Sequence, residues 1–205
     1  GQFLLSSWLL FWFNGGLLIS IDWIPSLIAI LITLLFLVWV INAYNFMDGI
    51  DGMAISGAVF VSGSSVIVML LTDGSSIFII LSTLLLACTS AFMIFNWPPA
   101  SIFMGDTGSI FLGYYFGAQI TYTTMHNEVS IWTWIIIFGY IIADTTFTQI
   151  ARLILVKRWY MAHRSHAYQN VARITNSHRK VTTGVIIYYL IWLLPIAIWS
   201  VLEPS

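Results

Sequence analysis

The chain has 205 residues, of which 60% are hydrophobic and 7% charged, with a formal net charge of −1 and a mean hydropathy of +0.94. Soluble domains carry about 45–50% apolar and about 25% charged residues, so a water-soluble globular domain is excluded and an integral membrane protein indicated. No nucleic-acid partner is expected, and the single Cys88 excludes an intrachain disulfide.

Helical spans are expected at about 3–20, 24–41, 53–71, 77–95, 110–126, 131–156 and 183–202, each long enough to cross or nearly cross ~30 Å of hydrocarbon. Asn14-Gly15-Gly16 interrupts the first of these seven. In the fifth, Gly113 and Gly117 are four apart, a spacing that lets helices approach closely. No repeat, low-complexity tract or linker divides the chain, so one all-α polytopic membrane domain over 1–205 is expected. Gly1 is preceded by neither Met nor a basic segment, and no signal peptide is recognisable.

Between the second and third spans lies Asn42-Ala43-Tyr44-Asn45-Phe46-Met47-Asp48-Gly49-Ile50-Asp51-Gly52. Carboxylates beside lipid are costly unless hydrated, paired or bound to a cation. Asp48 and Asp51 are three apart, which puts them on neighbouring positions of a helical turn. Such hard oxygen ligands suit Mg²⁺, which takes one or two carboxylates together with phosphate oxygens and water. The competing reading is a polar turn with Asp48 as a helix N-cap.

The fourth span ends at Asn96-Trp97-Pro98-Pro99, since paired prolines stop a helix. Gly105-Asp106-Thr107-Gly108-Ser109 then opens the fifth, where free N–H groups at a helix N-terminus can bind phosphate while Asp106 holds a metal. Ordinary N-capping by Asp106, Thr107 or Ser109 is an equal alternative. Phe103 reads more readily as an interfacial anchor than as a base-stacking residue.

Asp144 falls within the sixth span, where an ionisable residue is a functional candidate by default. Thr145, Thr148 and Gln149 surround it, and a structural or site-supporting role is favoured over transport. Beyond it, all seven Lys and Arg residues lie at or after Arg152, six of them between Lys157 and Lys180. The positive-inside rule makes the loop 157–182 cytoplasmic. Counting spans backwards puts 96–109 and 42–52 on the same face. A zinc site at His163 and His166 lacks a third ligand. His163, Arg164 and His166 suit either phosphate oxygens or an anionic lipid surface. Arg173, Arg179 and Lys180 are assigned to the lipid-facing patch.

Together these residues resemble the polyprenyl-phosphate N-acetylhexosamine-1-phosphate transferases, glycosyltransferase family 4. The resemblance rests on Asn-x-x-Asn-x-x-Asp-Gly-x-Asp-Gly at 42–52 and Asn-x(3)-Ala-x-x-Phe-Met-Gly-Asp-x-Gly-Ser at 96–109. Asp-Thr-Thr-Phe-Thr at 144–148 and His-Arg-Ser-His-Ala-Tyr-Gln at 163–169 add to it, the last being most similar to the O-antigen-initiating subgroup. The resemblance implies an all-helical fold around a cytoplasmic-face cleft in a bacterial inner membrane, with a homodimer as the assembly. It implies Mg²⁺, with Mn²⁺ as a substitute, held by Asp106 with Asn45. Asp48 and Asp51 become the catalytic candidates. Gly49, Ile50 and Asp51 are expected near the nucleotide base with Asn96 and Phe103, and His163, Arg164 and His166 near the diphosphate or sugar. The implied reaction joins a UDP-N-acetylhexosamine to undecaprenyl phosphate and releases UMP.

One departure matters. Family members carry an Asp-Asp pair in an earlier cytoplasmic loop, and this sequence contains none. The chain is therefore expected to be the C-terminal part of a longer transferase. A cation-coupled transporter using Asp144 is the main rival, although transporters place their key acids near the midplane in broken helices. A CDP-alcohol phosphotransferase is disfavoured because no Arg follows the first Asp-Gly in Ile50-Asp51-Gly52-Met53-Ala54-Ile55.

Overall fold

The computed structural model describes residues 1–13, 26–155 and 165–203, and among these residues all regular structure is helical. In chain order the helices are α1 (Gln2–Trp12), α2 (Ser26–Asn45), α3 (Met53–Leu71), α4 (Ser76–Asn96) and α5 (Gly105–Met125). There follow α6 (Ile131–Ile137), α7 (Gly139–Leu155), α8 (Ala167–Thr175) and α9 (His178–Tyr188), which runs through a π-helical turn at Tyr189–Leu193 into α10 (Leu194–Leu202). The wide turn precedes Pro195, which lacks the N–H that would bond four residues back, so the helix loosens there without ending.

Four of these segments are long and apolar enough to cross a membrane: 27–45, 53–71, 76–96 and 178–202. The pair α6–α7 makes a fifth if counted as one span, although it is bent by 77°. The difference from seven has physical causes. The first stretch contributes only the 11-residue α1 to the described residues. The bend at Phe138-Gly139 breaks the sixth. Helix α5 matches α4 in length but turns Gln119, Thr121 and Thr123 into the interior, which dilutes its apolar content.

Helix α3 is central, with 67% of its span buried against 11% for α4, whose flank is left for lipid. Small residues Gly57, Ala58, Ser62, Ser64 and Ser65 let neighbours close on α3. Helices α2 and α5 approach through Gly113 and Gly117. A Cβ at Gly113 would stand 2.8 Å from Ile41 Cα, and one at Gly117 3.1 Å from Leu37 Cδ2. The four-residue glycine spacing thus forms the contact expected of it.

The segments 46–52, 97–104 and 165–178 meet at one end of the bundle. Gly52 N–H donates to Asn96 Oδ1 at 3.1 Å, Asn45 Nδ2 to Asp106 Oδ1 at 3.2 Å, and Tyr168 OH to the Phe46 carbonyl at 2.6 Å. The opposite end is tied by Ser75 N–H to Glu128 Oε2 at 3.0 Å. His163 and Arg164 lie outside the described residues.

Candidate functional site

After Asn45 the chain leaves α2 through successive tight turns, with Met47 N–H bonded to Tyr44 O at 3.0 Å and Asp48 N–H to Asn45 O at 3.2 Å. Gly52 then takes φ +77°, the left-handed conformation that glycine adopts without strain, and α3 begins at Met53. Gly49 is required for space: a side chain there would overlap Tyr168 OH and Gln169 Nε2. The Asp-Gly repeat is therefore a compact turn clamped under α8.

At the N-terminus of α5, Asn45 Nδ2 donates to Asp106 Oδ1 at 3.2 Å and to Ser109 Oγ at 2.8 Å. Asp106 is exposed in the first turn of α5, where the helix dipole favours a carboxylate. Asp48 stands across from it and accepts the Gly105 N–H. Burial pushes the Asp48 carboxyl above its usual range; the Gly105 hydrogen bond opposes that shift and the Asp106 charge adds to it. Two carboxylates with the Asn45 carboxamide beside them are hard-oxygen groups of the kind that suits Mg²⁺. Among the described residues no group of three or more His, Cys, Asp or Glu side chains is arranged to hold a metal ion, so any such ion would rest on this smaller set.

Asp51 faces the other way. Its Oδ2 accepts the Ala100 N–H at 3.2 Å and lies 3.3 Å from His178 Nδ1. Its backbone carbonyl accepts the Thr182 hydroxyl at 2.9 Å. Asn96 is buried behind it, with its amide bridging Gly52 N–H and the Ile102 carbonyl (2.8 Å), so it joins the two loops through their backbones. A cavity of about 580 Å³ opens beside this junction. Gly49, Ile50 and Asp51 form one wall, Pro98 and Pro99 a second, and Gln169, Arg173, His178 and Arg179 a third.

Phe103 and His166 lie away from the cavity, and Asp144 has the site-supporting role expected of it. Phe103 is 73% exposed and lines a separate groove of about 270 Å³ with Phe92, Met104 and Phe111. His166 is buried, and its Nδ1 lies 2.7 Å from Asp144 Oδ2. Asp144 Oδ1 accepts the Ala167 N–H at 2.8 Å, so this acid holds the N-terminus of α8. Because α8 begins against Phe46, Asp144 stands at the level of the site loops.

Arg173 and Arg179, expected on a lipid-facing patch, line the cavity together with His178. Asn176, at φ +47°, ends α8, and Ser177 Oγ caps α9 by accepting the Lys180 N–H at 3.3 Å. That reversal swings the three basic residues over Asp51. The signal was the Asn-Ser pair at 176–177, a helix stop followed by a helix start.

Residues 2–124, which contain the segments 42–52 and 96–109, match the family described as glycosyl transferase family 4. The chain is 36% identical over 163 residues to a probable undecaprenyl-phosphate N-acetylglucosaminyl 1-phosphate transferase of Bacillus subtilis (strain 168), covering 78% of this chain and 44% of that protein. It is 32% identical over 133 residues to the phospho-N-acetylmuramoyl-pentapeptide-transferase of Desulforamulus reducens, covering 65% and 37% of the two chains. The enzyme of that same name from Fervidobacterium nodosum is 39% identical over 138 residues, covering 63% and 41%. The chain thus spans less than half the length of each of these relatives.

Proposed function

The chain belongs to glycosyl transferase family 4, and from this we propose that the protein transfers N-acetylhexosamine 1-phosphate from a UDP-sugar to undecaprenyl or another polyprenyl phosphate. The observation that carries the reading is the facing pair Asp48 and Asp106 at the N-terminus of α5, at the same bundle end as the Asp51 cavity. A phosphate oxygen of the lipid attacks the β-phosphorus of the donor, the bond from that phosphorus to the bridging oxygen breaks, and UMP leaves with that oxygen.

Asp106, Asp48 and Asn45 would hold Mg²⁺, which supplies charge neutralisation on the diphosphate when bound. Asn45 orients Asp106 through its Nδ2 hydrogen bond. The N-terminal N–H groups of α5 add further donors for phosphate oxygens. Arg173 and Arg179 present cationic groups to the donor in the adjoining cavity, which His178 also lines. Asp51 is assigned to donor recognition, with Gly49 and Ile50 beside it. His163, Arg164 and His166 are assigned to the diphosphate or sugar, His166 through the placement of α8. The lipid phosphate has a second pKa of about 6, so much of it is dianionic at neutral pH and a strong general base is not required.

The excess of Lys and Arg after Asp144 supports a cytoplasmic orientation of this end in a bacterial inner membrane. The sequence at 163–169 supports a donor and pathway of the O-antigen-initiating kind. Asp144 has both oxygens engaged by α8, which argues against a transport role.

The test supplies the full-length protein with UDP-N-acetylhexosamines labelled in the β-phosphate, undecaprenyl phosphate and Mg²⁺. Label moves to a lipid fraction and unlabelled UMP appears. Folded protein that yields no lipid product with any UDP-N-acetylhexosamine overturns the reading.

A further inference from the structure

The first residue of α9 makes an unusual double approach. His178 Nδ1 lies 3.4 Å from the Asp51 backbone nitrogen, whose N–H donates to it, and 3.3 Å from Asp51 Oδ2. One ring nitrogen thus faces both a donor and an acceptor of the same residue, and it can satisfy only one at a time. A bare Nδ1 takes the N–H and leaves the carboxylate to other partners. A protonated Nδ1 takes the carboxylate and frees the N–H.

Asp51 is also tied by the Ala100 N–H, which donates to its carboxylate, and by the Thr182 hydroxyl, which donates to its backbone carbonyl. Its side chain is 20% exposed and that of His178 45%, so the pair borders the cavity and is not sealed behind it. Among the described residues the charged groups lining the cavity with His178 are Asp51 from the 46–52 turn, Arg173 from α8 and Arg179 beside it on α9; the segment 97–104 carries none. One acid among several cationic or donor groups suits a ligand that carries both anionic oxygens and N–H or C=O edges. A nucleoside diphosphate has that chemistry.

We propose that His178 is a positioning residue for the nucleotide donor: through its contact with Asp51 it sets which polar group of Asp51 faces the cavity. This rests on the donor reading above. His178 touches no reacting atom, and removing its Nδ1 weakens donor capture without altering the transfer step.

The experiment uses the full-length protein with three variants. His178→Phe keeps a ring without the nitrogen, His178→Ala removes both, and His178→Asn places an amide group near the Nδ1 position. The Phe and Ala variants are expected to raise the donor KM about tenfold, with kcat within about twofold and the lipid KM unchanged, and the Asn variant to recover most of the donor KM. Unchanged donor KM in the Phe and Ala variants, or an Asn variant as poor as Phe, overturns the role of His178. A parallel arm reads UDP binding as a nucleotide-dependent rise in Tm. No rise in the wild-type protein overturns the donor reading, and this proposal with it. A rise that is the same in wild type and His178→Phe overturns the His178 proposal alone.

Discussion

Asp144 and His166 are joined at 2.7 Å between Oδ2 and Nδ1, each side chain only 3% exposed, while the other carboxylate oxygen takes the Ala167 N–H at 2.8 Å. The contact spans 22 residues and docks the start of α8 onto α7. An acid at a helix N-terminus meets both the free N–H groups and the positive end of the dipole.

Asp144→Ala should therefore remove the carboxylate that the buried His166 ring and the Ala167 N–H share, at about 2–4 kcal/mol. The expected result is a Tm several degrees lower in detergent and transfer activity reduced more than about tenfold, because α8 carries Gln169 and Arg173 to the cavity. Asp144→Asn retains one carbonyl acceptor and should lose less than half as much Tm. Wild-type Tm and activity in Asp144→Ala would show that α8 is held by something else.

Gly49 and Tyr168 form a second fastener on the same helix. Tyr168 OH donates to Phe46 O and stands against the Gly49 N–H. Burial first, and then the Asp144 charge, push the phenol well above its usual range, so it remains a donor at any working pH. Gly49→Ala overlaps Tyr168 OH and Gln169 Nε2, so these side chains of α8 must shift away from the turn. It should raise donor KM about tenfold or more, whereas Tyr168→Phe, which loses hydrogen bonds but adds no bulk, should cost about 1 kcal/mol of stability. Combining Gly49→Ala with Tyr168→Phe should recover part of the donor KM, and no recovery would mean that Gln169 makes the decisive clash.

Much of this site was legible beforehand because loops in a membrane bundle stand out as polar breaks between apolar spans. Counting those breaks put 42–52, 96–109 and 157–182 on one face, and the described parts of all three meet there. The Gly113–Gly117 spacing likewise announced a close helix pair. Hydropathy could not distinguish a lipid-facing span from α5, whose Gln119 and threonines point inward, nor see the 77° bend between α6 and α7. Charge composition assigns Arg173 and Arg179 to a lipid-facing patch and passes over His178 because it is blind to the reversal at Asn176-Ser177.

The raised pKa of Asp48 has a defined sign. Its folded-state pKa exceeds the unfolded value of about 3.9, so over the interval between them the folded chain binds more protons. With a chelator present, the contribution of Asp48 to stability is fully present below about pH 4 and is lost as pH rises through its folded pKa. Asp48→Asn removes this fall. Divalent cations favour the ionised form, so the Tm gain on adding Mg²⁺ should grow with pH over the same interval, and Asp48→Asn and Asp106→Asn should each reduce that gain by more than about half. A Mg²⁺ gain that is the same at every pH, and survives in Asp106→Asn, would remove Asp48 and Asp106 from the metal set.

Three glycines in the spans should rank by what their missing Cβ would meet. At Gly113 it would lie 2.8 Å from Ile41 Cα and 3.0 Å from Ile41 O, backbone atoms that yield only if α2 and α5 part. Gly113→Ala should cost about 1–3 kcal/mol by overpacking. At Gly117 the neighbour is Leu37 Cδ2 at 3.1 Å, the far end of a flexible side chain, and the cost should stay under about 1 kcal/mol. At Gly63 the nearest atom is Leu86 Cδ1 at 3.8 Å, ordinary contact, and alanine should be neutral or slightly stabilising through helix propensity. Thermal unfolding in one detergent should order the proteins Gly113→Ala, Gly117→Ala, wild type and Gly63→Ala by rising Tm. Equal values for the first and last would mean that α2 and α5 are not locked together at Gly113.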